Sequence, residues 1–298
     1  MIRPDLHLHT NCSDGVMSPE LLLHECSQKG ITLMAVTDHD TMSGSDALCR
    51  AESQIPVIPA VELSMAEMPG LHLLGYGLTR AEELRKKITE LAEMRDRRAQ
   101  MMIEKLKSMG MSISYKELLS KRQLEGGKDS TIGRPHIARA LVRAGYCRNM
   151  QEAFARYIGN DKPAYIRTER MHIEQAIELL NRCGFLPVLA HPRELQLEDY
   201  LLESLLDKYC MYGLKGIEVY HPSARAKGYA PLVRMASNRQ LLVTGGSDFH
   251  QENDNKHGGI GSTIDAWESR EKDISAFMEA LKRAAEKIEG GELFVGRI

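Results

Sequence analysis

The chain reads as an α/β protein, a parallel sheet or barrel whose strands alternate with helices, interrupted by a helical insertion. Three observations predict this. Short apolar or alternating runs recur between amphipathic helical stretches in both the first and last parts of the chain. The alternation stops between about Ala81 and Thr168, where helical, charge-rich sequence takes over. Imidazoles and carboxylates recur where the predicted strands end, and in a barrel those ends converge on one face.

Each element follows from its own residues. Asp5 to His9 alternates and forms the first strand. Ser18-Pro19-Glu20 gives a helix an N-cap, a proline at its first position and an acidic first turn, and Gly30 stops it. Leu33 to Thr37 (LMAVT) is an unbroken apolar run, suited to a strand buried on both faces. Ser43 to Ser53 is helical, and Val57 to Leu63 and Leu71 to Tyr76 are strands. Ala81 to Met109 is one long helix ending at Gly110. A Gly-Gly-Lys loop (Gly126 to Lys128) and helices at Pro135 to Arg143 and Met150 to Tyr157 follow. Alternation then resumes with helix His172 to Cys183, strand Pro187 to Ala190, helix Glu198 to Tyr209 and strand Gly216 to Tyr220. A helix through the 220s and 230s, strand Leu241 to Thr244 and a final helix Lys272 to Ile288 complete the chain. The division is 1–80 with 169–298 as the α/β body and 81–168 as a helical insertion or cap.

Composition bounds the function. The 298 residues carry 39 Lys and Arg against 41 Asp and Glu, a net charge of -2 that argues against a broad cationic surface for duplex DNA. Hydrophobic residues at 43% supply a large core and exclude a mainly disordered chain. No apolar run reaches the roughly 20 residues that span a bilayer, and MIRPDLHLHT lacks the apolar core of a signal peptide. The six scattered cysteines include no C-x-x-C pair and read as reduced, buried thiols, so a cytoplasmic location is expected.

The eleven histidines carry the functional signal. His7 and His9 lie two apart on a strand and so face the same way, with Asp14 close behind. The second strand runs into Asp38-His39-Asp40, the third ends in Glu62, and the fourth carries His72. Later strands end in His191, in Tyr220-His221 and in Asp248-Phe249-His250. So many carboxylates and imidazoles gathered on one face are unfavourable unless cations compensate them. His24, on a helix surface, and His172, at a helix start, read as ordinary structural positions. Asp5, Asp38 and Asp40 are candidates to orient the rings. Arg95-Asp96-Arg97-Arg98 reads as a solvated helix face, and the methionines of the insertion (Met94, Met101, Met102, Met109, Met111) as filling for a helical core.

DLHLHTNCSDG, AVTDHDTMSG, AHP and GGSDFH resemble the four signature segments of the PHP (polymerase and histidinol phosphatase) family, within the amidohydrolase-like superfamily. The resemblance implies a distorted (β/α)7 barrel with a trinuclear metal centre. Carried over residue by residue, it implies one metal on His7, His9, Glu62 and Asp248. A second would share Glu62 and take His72 and His191, and a third would use Asp14, His39 and His250. The nitrogen and oxygen donors fit three divalent ions, Mn2+ first, with Zn2+ or Fe2+ as alternatives.

Clustered divalent ions suit phosphoester hydrolysis by a hydroxide that bridges them, with no covalent enzyme intermediate. The segment Gly133 to Ala138 with Lys162-Pro163-Ala164-Tyr165 resembles one PHP subgroup. It comprises nucleoside 3',5'-bisphosphate phosphatases, enzymes on cyclic phosphodiesters and 5'-3' exoribonucleases on short RNA. The substrate implied is a small nucleotide phosphate or a short RNA 5' end, without membrane or duplex DNA. Arg134, at a helix start, and His136 are the phosphate-contact candidates, and His221 and His257 the proton donors. The alternatives are a histidinol-phosphate phosphatase, or a non-catalytic metal-binding module. Arg193 lies outside the expected spacing.

Overall fold

The computed structural model describes residues 2–51, 53–79, 81–126, 132–167, 170–252, 258–267 and 270–288. Seven strands hydrogen-bond in chain order: β1 (Pro4–Leu8), β2 (Leu33–Val36), β3 (Val57–Ser64), β4 (His72–Gly77), β5 (Phe185–Leu189), β6 (Gly216–Tyr220) and β7 (Leu242–Gly245). The sheet curls until its ends nearly meet. Past β7, the Phe249 carbonyl accepts from the His9 N–H at 3.0 Å, and the Asp248 N–H donates to the His7 carbonyl at 2.9 Å.

The all-parallel expectation needs one correction. β4 runs antiparallel to both β3 and β5, while β1–β2–β3 and β5–β6–β7 are parallel. The chain between Ser64 and His72 is too short for the crossover that a parallel neighbour requires, so it folds back as a hairpin. The reversal places the site. In a strand running the other way, the first residue, His72, reaches the rim where the parallel strands have their carboxyl ends.

Around the barrel lie α1 (Pro19–Gln28), α2 (Ser43–Arg50), α7 (Ile173–Arg182), α8 (Asp199–Tyr212), α9 (Ala230–Asn238), α10 (Ile264–Trp267) and α11 (Glu271–Glu286). α2 is three residues shorter than expected, and the helix expected through the 220s and 230s is a single turn at Pro222–Ala224 followed by α9. Between β4 and β5 come α3 (Glu82–Ser108), α4 (Tyr115–Gly126), α5 (Arg134–Arg143) and α6 (Met150–Ala153), whose end continues as one π-helical turn to Ile158. α4 and α10 were not legible as helices in the sequence. Of the expected Gly-Gly-Lys loop, Gly126 closes α4, and Gly127 and Lys128 lie outside the described residues.

Two apolar clusters occupy the barrel and its helices, and a third, built from residues between Ala99 and Ala164, belongs to α3–α6. Met102 and Met111 are buried in that third cluster, whereas Met101 and Met109 are exposed, so the methionines divide between core and surface. α3 bridges the two parts. Its first turns bury Leu84 and Ile88 against the barrel cluster, Arg85 grips Asp46 of α2 with both nitrogens, and Arg95 pairs with Asp40. No described helix is long and apolar enough to cross a membrane, and all six cysteines are free thiols.

Candidate metal centre

The pleat of β1 sends His7 and His9 to one face, and both rings are fully buried. Each points its Nε2 at the same two carboxylates. His7 Nε2 lies 3.4 Å from Glu62 Oε2 and 3.3 Å from Asp248 Oδ1, and His9 Nε2 lies 3.3 Å and 3.1 Å from the same atoms. The other oxygen of Glu62 is 2.9 Å from both His72 Nδ1 and His191 Nε2. Asp14 lies 3.3 Å from His250 Nε2 and 3.8 Å from His39 Nε2. All nine residues implied as ligands therefore meet at one rim of the barrel. They form overlapping groups: His7, His9, Glu62 and Asp248; His9, Asp14, His39 and His250; and His39, Glu62 and His72.

Local backbone is shaped around this cluster. His191 (φ 24°) and Asp248 (φ 53°) hold left-handed conformations that cost energy for residues with a Cβ, and such strain concentrates at functional sites. Gly246 is obligatory, because a Cβ there would sit 2.3 Å from the Cβ of His7.

The expected ring-orienting carboxylates act differently. Asp5 accepts from Ser247 N–H, Ser247 Oγ and Gly261 N–H, tying β1 to the loop after β7. Asp38 accepts from Thr10 N–H, Thr10 Oγ1 and Ser13 Oγ and so shapes the loop that carries Asp14. Asp40 accepts from the Ser64 N–H. All three hold loops. The ring-orienting role falls to Glu218, a fully buried carboxylate on β6. One oxygen lies 3.0 Å from His7 Nδ1, and the other accepts the His191 N–H at 2.8 Å. Its only sequence signal is an acidic residue inside an apolar strand (GIEVY).

The electrostatics report a site built for cations. Burial alone would push His9 down, yet the facing carboxylates of Asp248 and Glu62 lift it from 6.5 to about 10. His7 is raised well above its ordinary value against the same burial, by Glu218, Asp248 and Glu62. Burial would push Glu62 up, but His39, His72 and His7 hold it well below the carboxylate range. Burial dominates at His72, lowering it to about 4. Protons here stand in for positive charge.

The substrate-side candidates separate. His221 is fully buried. Its Nδ1 accepts the Ser223 N–H at 3.1 Å, which leaves the neutral ring's proton on Nε2, 3.4 Å from Asp248 Oδ2. With Glu194 and Asp248 it forms a further acidic and imidazole group. His136 uses Nδ1 to accept the Gly133 N–H at 2.9 Å, closing the first turn of α5. His257 lies outside the described residues. His24 is exposed on α1, and His172 sits at the start of α7, 3.2 Å from Glu67. The buried Arg193 pairs with Asp199 at the start of α8.

A cavity of about 240 Å³ joins the cluster to the inner face of α3–α6, lined among others by Asp14, His39, His72, Arg95, Arg98, Arg134, His136 and Arg170. This corrects the reading of Arg95 to Arg98 as a solvated face. Residues three apart share a helix face, so Arg95 and Arg98 turn inward together while Arg97 is exposed beside Glu93. Burial and then the neighbouring guanidiniums lower Arg95 and Arg98 to about 10. Arg98, Arg134 and Arg170 donate to neutral oxygens of Ile166, Asn160 and Met65, and among the described residues no carboxylate pairs with them. The rings of Tyr165 and Phe154 flank Arg134 at 5.7 Å each.

Known proteins resemble this chain. The PHP domain family matches residues 5–182. A 5'-3' exoribonuclease of Haemophilus influenzae is 31% identical over 256 residues, covering 83% of this chain and 89% of its own. A 3',5'-nucleoside bisphosphate phosphatase of Chromobacterium violaceum is 29% identical, covering 84% of this chain and 88% of its own. A solved structure from Bifidobacterium adolescentis, assigned to the metal-dependent phosphoesterases, superposes with a TM-score of 0.78 at 29% identity over 93% of this chain and 96% of that one. A nearly closed seven-stranded barrel, a rim of converging imidazoles and carboxylates, and a family match spanning more than half the sequence agree: this chain belongs to the PHP domain family of metal-dependent phosphoesterases.

Proposed function

We propose that the protein hydrolyses phosphoesters of small nucleotides, with 3',5'-nucleoside bisphosphates as the main substrate class and 5'-3' trimming of short RNA by the same site. Cyclic phosphodiesters fall within the same chemistry. The observation that carries this reading is the junction of two features in one cavity: a histidine and carboxylate cluster, and three guanidiniums, of Arg98, Arg134 and Arg170, that no carboxylate among the described residues pairs with. A relative named as an exoribonuclease and another named as a bisphosphate phosphatase support it. Residues 81–168 would act as a cap that supplies Arg98 and Arg134, while 1–80 and 169–298 supply Arg170 and the metal ligands.

The side chains fit cations. His7 Nε2, His9 Nε2, His39 Nδ1 and Glu62 Oε2 are buried without a hydrogen-bond partner among the described residues, an unfavourable state that ion coordination relieves. His7, His9, Glu62 and Asp248 would hold one ion, Glu62, His72 and His191 a second, and Asp14, His39 and His250 a third. Nitrogen and oxygen donors without thiolate make Mn2+ the proposed metal. Bound ions supply charge neutralisation of the phosphoryl oxygens and acidify the attacking water. Arg134 places a planar donor fork against the non-reacting phosphate, and Tyr165 holds that fork in orientation. His136 rigidifies the helix turn from which Arg134 projects. His221 donates its Nε2 proton to Asp248 and fixes that carboxylate's direction.

Phosphate release from adenosine 3',5'-bisphosphate by the Mn2+-loaded protein tests the reading. Release no faster than that of a His9→Ala variant would overturn it. Arg134→Ala is expected to raise KM about ten-fold or more with kcat changed far less, because the contact is made in the ground state as well. Metal uptake must displace the proton that His9 holds up to about 10. Calorimetric titration of Mn2+ into chelator-treated protein, in buffers of different ionisation enthalpy, should therefore show proton release and an apparent affinity that rises with pH. In the chelated protein that proton stabilises the fold. Its contribution is complete below 6.5 and is lost as pH rises through about 10.

A further inference from the structure

Two arginines of α3 hold the two acids that bracket the start of α2. Arg85 grips Asp46 in the first turn of that helix, and Arg95 pairs with Asp40, three residues ahead of it. The two contacts differ in place. Arg95 and Asp40 line the cavity beside Asp14 and His39, whereas Arg85 and Asp46 do not. Asp40 directly follows His39 and is fixed at three points. Its N–H donates to the Glu62 carbonyl at 2.8 Å, one carboxylate oxygen accepts the Ser64 N–H at 2.9 Å, and the other meets Arg95. These contacts hold it in a left-handed backbone conformation, φ 50°, that costs energy for a residue with a Cβ. The Asp40 side chain is only 5% exposed. Without Arg95 a buried charge would keep a single N–H among the described residues, an unfavourable state. Relaxing the strained φ relieves it, and that motion carries His39 along.

The candidate ligands are not equally supported. His7, His9 and Glu62 are fully buried, so packing on all sides holds them. The side chains of Asp14, His39 and His250 are 27%, 19% and 12% exposed and depend more on the loops that carry them. We propose that Arg95 is a positioning residue of the metal centre: through Asp40 it holds His39 in place for the ion that Asp14, His39 and His250 would share. The cap would thus complete one ion site without contributing a ligand to it. The proposal rests on the metal centre of the reading above. Positioning and charge predict opposite signs. Arg95 is a cation beside the ligand Asp14, so by charge alone its removal should tighten cation binding. By positioning, the removal weakens it.

Calorimetric titration of Mn2+ into the chelator-treated full chain tests this, with metal counted per chain after dialysis. The wild type is expected to take up three ions. Arg95→Met keeps the apolar stem and removes the charge; its weakest ion should bind about ten- to a hundred-fold less tightly, with the other two unchanged. Arg95→Lys should restore most of that affinity. The double variant Arg95→Met with Asp40→Asn, which leaves the local net charge as it was, should lose no more than Arg95→Met alone. Arg85→Ala loosens the same helix away from the cavity and should lower the melting temperature while leaving all three affinities as in the wild type. Unchanged or tighter Mn2+ binding in Arg95→Met would overturn the proposal. So would an equal loss in Arg85→Ala, which would mean that seating of the cap in general matters, or a wild type that takes up only two ions. A wild type that binds no Mn2+ would overturn the phosphoesterase reading itself, and the proposal with it.

Discussion

Asp248→Asn is expected to lose bound metal and at least about a thousand-fold in kcat/KM, well beyond the ten- to hundred-fold typical of residues that only orient ligands. One oxygen of Asp248 faces His7 and His9 at 3.3 Å and 3.1 Å, and the other faces His221 at 3.4 Å. An amide keeps the shape and removes the charge. In one orientation it also points its NH2 at two imidazole nitrogens that must present lone pairs to a cation. The backbone of Asp248 still donates to His7, so the barrel closure survives. Metal content per chain, measured beside kcat/KM and a thermal melt, separates the cases. A variant with wild-type metal content and activity would remove Asp248 from the ligand set.

Glu218→Gln is the second large effect, and it acts through a proton's position. The Glu218 oxygens lie against His7 Nδ1 and the His191 N–H. A carboxylate accepts from both, so when a cation replaces the second ring proton His7 keeps its remaining proton on Nδ1 and presents a bare Nε2 to the cluster. A glutamine can satisfy the His191 N–H only with its carbonyl, which turns its NH2 toward His7 Nδ1. The ring must then accept there and carry its proton on Nε2, where it cannot ligate. Metal affinity is expected to fall about ten- to a hundred-fold. Nitrogen NMR of the histidine rings reads the mechanism directly, since His7 should change tautomer. Weakened metal binding with an unchanged His7 tautomer would mean that Glu218 acts by packing or charge alone.

Legibility followed the range of the forces involved. β1, β2, β3 and β6 were readable because apolar runs and turn residues act locally, and α1 was readable from its Ser18-Pro19 cap. The nine clustered residues were readable because each lies near one end of a strand or in the loop beyond it, a pattern that marked one face of a barrel, and the resemblance to the PHP signature segments picked them out. The Arg95 and Arg98 pair was misjudged because a helix has two faces, and composition does not say which one meets the cavity. Glu218 was missed because a single acidic residue in a strand has no periodic signature. Its importance comes from His7 and His191, which lie 211 and 27 residues away.

From the order of residues alone came an α/β barrel, its interruption, and nine metal-seeking side chains at strand ends. Only the folded chain decided that β4 runs backwards, which is why His72, a first residue, joins last residues at the rim. It also decided that a buried carboxylate orients His7, and that Arg95 and Arg98 of α3 line the cavity beside the cluster. The physical reason is the same in each case. Strand and helix propensities are settled within a few residues, whereas strand direction, ring tautomer and the facing of a helix depend on partners brought together only by tertiary packing.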